Sequence, residues 1–246
     1  MRTGNPTLSD KAFEGFGHRY VEANQAMTLQ GTVNKTGILL LLLFITAAWV
    51  WNMSYTGTQN IMPWMLGGII GGFIMALVTM FKPKLAPITA PLYAMLEGLA
   101  LGAISVFFET RYPGIVVQAI GLTMGILLAL LMAYKSGLIK ATENFKLGVT
   151  AATGGIFLVY MGSFILRLFG INMPFIHESG LLGIGFSLFV VVIASLNLVL
   201  DFDFIESGVD NGAPKYMEWY GAFGLVVTLV WLYLEILRLL SKLNRN

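Results

Sequence analysis

A chain of 246 residues that is 57% hydrophobic and 11% charged carries less than half of the roughly 25% charge a soluble domain needs at its surface, which excludes a soluble globular fold. Its net charge of +2, with no run of basic residues, excludes the backbone neutralisation on which nucleic-acid binding rests. Cysteine is absent, so disulfides and thiolate metal sites are excluded too.

The apolar residues come in blocks of about 20, the length that crosses a hydrocarbon core of about 30 Å. Residues 1–35 are polar and lack the apolar core of a cleavable signal; the first apolar block is therefore expected to stay as an anchor. A transmembrane domain follows over residues 36–241, with spans predicted at 36–53, 61–81, 86–108, 113–134, 147–169, 180–200 and 219–240, and residues 242–246 form a short basic tail. Lys82-Pro83-Lys84 ends the second span, since proline stops a helix and lysine favours the interface. The third ends in the turn Glu109 to Pro113, and polar linkers at 135–146 and 170–179 bracket the fifth.

Loop charge predicts orientation. With the N-terminus in the cytoplasm, Arg2, Lys11, Arg19, Lys35, Lys82, Lys84, Lys135, Lys140, Lys146 and Lys215 lie inside, against Arg111, Arg167, Arg238, Lys242 and Arg245 outside. This bias favours a cytoplasmic N-terminus, at odds only with the basic tail, which an odd number of spans sends outside unless the last apolar segment re-enters and returns.

Glycines repeat at small-xxx-small spacing, as Gly67-Gly68 with Gly71-Gly72 in the second span and Gly121 with Gly125 in the fourth. Such faces let helix backbones approach closely in lipid. Bundle packing is the plain reading, and sliding of the second span the functional one.

Ionisable residues within apolar spans cost roughly 2.5–3.5 kcal/mol each at a helix centre and usually have a reason. Glu97 stands midway along the third span, in LYAMLEGLALG, and is expected to face the bundle interior. Asp201 and Asp203 close the sixth; residues i and i+2 point about 200° apart, so they lie on different faces. Asn197 shares the face of Asp201 and gives it a polar stripe that should turn inward. Asp203 is better read as an interfacial charge. Glu235, in LYLEILRLL, is either an interior acid or the local partner of Arg238, three residues on. Five of the 13 acids (Asp201, Asp203, Glu206, Asp210 and Glu218) crowd one stretch, and such a cluster concentrates cations at a cavity mouth. It is not an EF-hand loop, because Ile205, Glu206 and Gly212 stand where that loop needs an oxygen ligand, its glycine and its last glutamate.

Catalytic patterns are missing, and the protein is read as a non-enzyme that needs no cofactor. His18 and His177 both fall outside the spans, which leaves an intramembrane serine protease without its base. An intramembrane aspartyl protease would carry GxGD, and Gly183-Ile184-Gly185-Phe186 lacks the aspartate.

The acidic segments carry a resemblance. Leu200 to Ile205, LDFDFI, is similar to the motif that ends the sixth span of the Bax inhibitor-1 (transmembrane Bax inhibitor motif) family, with Asp201 on the family aspartate. Leu232-Tyr233-Leu234-Glu235 resembles that family's last-helix Leu-Tyr-Leu-Asp, with glutamate in place of the acid. Two departures stand out: Leu200 replaces the family tyrosine, and about ten extra residues separate Asp201 from Glu235. The resemblance implies an all-α membrane fold with six helices around a central seventh, and a pH-sensitive calcium leak controlled by paired carboxylates. On that reading Asp201 and Glu235 share a proton, gate the pathway and transiently hold calcium, which prefers oxygen ligands, with Asp203, Glu97 and Asn197 placed along the same pathway in a bacterial inner membrane. Lys82 or Lys84 would serve as a latch on the acidic mouth, and Arg238 would compete for Glu235. The partners expected are the bilayer, calcium and protons. The alternative is a non-conducting regulator that binds other membrane proteins, such as a protease or a cell-death factor.

Overall fold

Thr28 starts the first helix: its hydroxyl accepts a hydrogen bond from the Gly31 N–H at 3.0 Å, satisfying one of the donors a helix start leaves open. The computed structural model describes residues 26–57, 60–170 and 180–245; His18, His177, Arg2, Lys11, Arg19 and most of the linker predicted at 170–179 lie outside them. Among the described residues seven α-helices follow: α1 (Leu29–Tyr55), α2 (Met62–Phe81), α3 (Ala86–Arg111), α4 (Ile115–Lys135), α5 (Glu143–Leu168), α6 (Leu181–Asp210) and α7 (Met217–Leu243). All 7 are long and apolar enough to cross a membrane. A 3-10 turn at Pro83–Leu85 leads directly into α3.

Two boundaries differ from the sequence reading by seven residues or more, each for a physical reason. α1 begins seven residues earlier than predicted because its polar first turns face an internal partner, Glu218, which pairs with Lys35 and accepts from Thr28. α6 runs on through DFDFIE to Asp210 because Phe204 and Ile205 stay buried, packed with Met217 and Tyr220. That extension turns most of the predicted acidic loop into helix.

The chain divides into two compact units, residues 112–202 with 228–245, and residues 26–111 with 203–227. In the second, α3 packs against α1 and α2 at backbone distance. A Cβ on Gly68 would lie 2.6 Å from the Leu96 carbonyl oxygen, and one on Gly102 would lie 2.6 Å from that of Ala47. The small-residue face of α2 is thus a packing face through Gly68 and Gly72, whereas Gly67 faces open space. Gly121 and Gly125 of α4 also face open space, so their spacing does not mark a helix contact among the described residues. Burial is uneven: 61% of the most apolar stretch of α7 is buried, against 17% for α2 and α5. The last helix is therefore the most buried of these helices, and the exposed leucines, isoleucines and phenylalanines of the others suit a lipid environment.

Candidate functional site

In the unit of residues 112–202 and 228–245, the apolar helices α5, α6 and α7 enclose a polar spine. Asp201 is 0% exposed and Asn197, one turn before it, is 1% exposed. The Asn197 amide donates to Thr153 Oγ1 of α5 at 2.8 Å and to the Ile193 carbonyl at 2.8 Å. Its oxygen, buried beside the Asp201 carboxylate on the same helix face, accepts no hydrogen bond among the described residues. The expected polar stripe of α6 is thus present and turned inward, while Asp203 is partly exposed.

Glu235 of α7, 1% exposed, is held by two groups. Tyr160 of α5 donates its hydroxyl to the carboxylate, with both oxygens at 3.1 Å. Arg238 donates to Oε1 at 2.6 Å and to the Tyr160 hydroxyl at 2.9 Å, with its guanidinium over the Tyr160 ring at 5.3 Å. Tyr160 is itself oriented by an edge contact with Phe186 of α6. The three side chains close a triangle in which every charged or polar tip has a partner, as a buried acid requires.

This arrangement corrects the paired-carboxylate reading. Thr153 meets Asn197 while Tyr160 meets Phe186, so α5 and α6 run antiparallel. Tyr160, which holds Glu235, stands about 10 Å along α5 from the level of Asn197, and Asp201 lies about 6 Å beyond Asn197 in the other direction. The two acids are thus about 16 Å apart along the helices, too far to share a proton or a calcium ion. The cause is register: Glu235 is answered three residues on by Arg238, at the end of α7 remote from Asp201. Among the described residues no three His, Asp or Glu side chains gather as metal ligands.

The remaining predicted residues lie in the other unit. Glu97 points at Gly72 of α2, where a Cβ would lie 2.9 Å from its Oε2. Lys82 and Lys84 are exposed at the α2–α3 turn, with no acidic partner among the described residues, so no latch contact forms here. Glu218 is not part of an open acidic mouth. It is 0% exposed, accepts from the Thr28 N–H and hydroxyl at 3.0 and 2.8 Å, and pairs with Lys35 and, at 3.1 Å, with Lys215.

Sequence reasoning missed Tyr160, Thr153 and the fastening role of Glu218. Tyr160 left one usable signal, a hydroxyl in the otherwise apolar run IFLVYMGSF, since a buried tyrosine needs a partner for its O–H.

A family model described as Bax inhibitor 1 like matches residues 5–245. Searches among curated proteins and among solved structures return no match. The matched stretch takes in all seven membrane-length helices, the buried Asp201 and the Glu235 triangle, and the chain belongs to the Bax inhibitor 1 like family.

Proposed function

We propose that the protein is a passive, proton-regulated cation pathway, with calcium as its leading ion and α5, α6 and α7 as its walls. The observation that supports this reading is the wholly buried Asp201 beside an Asn197 oxygen with no donor among the described residues. Two oxygen groups stacked one turn apart inside an apolar helix suit a partly dehydrated cation, which takes carboxylate and amide oxygens as ligands. Glu235 has a different part in this proposal. Its pairing with Tyr160 and Arg238 locks the remote end, and a proton on Glu235 would remove the charge that Arg238 answers. Arg167 and Lys242 line the same cavity as Glu235 and set the field around it. The pathway is thus controlled by two separated stations, not by one shared-proton pair. The N-terminus is proposed to be cytoplasmic, so an impermeant thiol reagent applied from outside should miss a Thr142→Cys variant.

Liposomes loaded with a calcium dye test the reading. The wild-type protein is expected to leak calcium in a pH-dependent way, and Asp201→Asn to lose most of that flux while remaining folded. Silence of the wild type at every pH, with a co-purifying membrane protein, would instead favour a non-conducting regulator.

A further inference from the structure

The end of this unit that carries the chain terminus contains a cavity of about 590 Å³. Four basic side chains, Arg167, Arg238, Lys242 and Arg245, line it against one carboxylate, Glu235. That carboxylate is committed to Arg238. The Lys242 ammonium, only 6% exposed, donates to the Gly183 carbonyl at 2.9 Å and the Ser187 hydroxyl at 2.8 Å, both neutral groups. Arg167 and Arg245 have no side-chain hydrogen bond or ion pair among the described residues. Among the described residues the cavity is therefore cationic, with two guanidinium groups unspent. Such charge repels a permeant cation, and all four residues are among those that oppose the loop-charge bias of the sequence. They need another explanation than topology.

We infer that this cavity binds a phosphate-bearing anion, seated on Arg167 and Arg245. Guanidinium groups match phosphate with paired N–H donors and hold it more strongly than neutral donors do. The position suits a lipid headgroup. Arg167 lies in the last turn of α5 and Lys242 in that of α7, the level at which headgroups meet helix ends. Phe164, at the cavity wall one turn before Arg167, is 62% exposed and opens an apolar side toward acyl chains. Free inorganic phosphate offers the same chemistry without the tail, and experiment separates the two sources.

The test uses the purified, delipidated full-length protein, titrated with short-chain phosphatidylglycerol, short-chain phosphatidylcholine and inorganic phosphate. The expected result is a preference of at least about tenfold for phosphatidylglycerol over phosphatidylcholine, lost in the Arg167→Gln/Arg245→Gln double variant. Both arginines are exposed, so the variant should fold, and an unchanged thermal transition without lipid checks this. Binding of inorganic phosphate with the same arginine dependence, and no lipid preference, would keep the anion site and assign it to free phosphate. Equal binding of both lipids with no phosphate binding, or full binding by the double variant, overturns the inference.

Discussion

In the unit that holds α1, α2 and α3, Gly68 and Gly102 leave no room for a side chain, because the backbone of the neighbouring helix occupies that space. In the unit that holds α4 and α5, Gly121, Gly125, Gly154 and Gly155 face open space, and a cavity lined by charge reaches Glu235. The buried acids differ in the same way. Glu218 joins parts of the chain 183 residues apart, pairing with Lys35 as well as with Lys215, while Glu235 is answered by its own helix and by one tyrosine. One unit is fastened by close packing and a multiply held carboxylate. The other spends its polar groups on a spine and a cavity, which is where a permeation or ligand function has space to operate.

Substitutions can break this contrast. Gly102→Val is expected to have the largest effect, destabilising by about 3 kcal/mol or more as an overpacked contact against backbone. Gly121→Val in α4 should stay within about 0.5–1 kcal/mol. Thermal unfolding in detergent checks both, and equal losses would erase the packing difference. Glu218→Gln comes next, because it leaves the Lys35 and Lys215 charges facing a neutral group. Breaking a buried pair costs about 3–5 kcal/mol, and the partial exposure of both lysines, 17% and 51%, lowers the expectation to about 2–3 kcal/mol. Glu235→Gln should cost less, about 1–2 kcal/mol, because the amide still accepts from Tyr160 and Arg238, 42% exposed, can turn toward water.

The seven helices were legible from the sequence because apolar blocks of membrane length are separated by proline, lysine and acidic turns. Glu97, Asp201 and Asn197 stood out because polar side chains are rare in such blocks, and Arg238 could be offered as the partner of Glu235 because the pair is local in sequence. Whatever depends on another helix was hidden. Spacing alone does not bring Tyr160 to Glu235, Thr153 to Asn197, or Lys35 to Glu218 across the chain. Family likeness also led the pairing astray: it aligned Asp201 and Glu235 with two family acids, but the register of α5, α6 and α7 sets them about 16 Å apart. The basic residues near the C-terminus look like an awkward topology signal in the sequence because their convergence on one cavity appears only after folding.

Asp201 and Glu235 are proposed to act as independent stations. A double-mutant cycle tests this most directly, measuring the free energy of unfolding and the pH profile of calcium flux for Asp201→Asn, Glu235→Gln and the combined variant. Groups separated by more than about 7–10 Å usually add within about 0.3–0.5 kcal/mol, so the stability effects should sum and the flux profile of the double variant should combine those of the singles. A coupling energy above about 1 kcal/mol, or a double variant no different in flux from either single, would show a shared site and contradict this account.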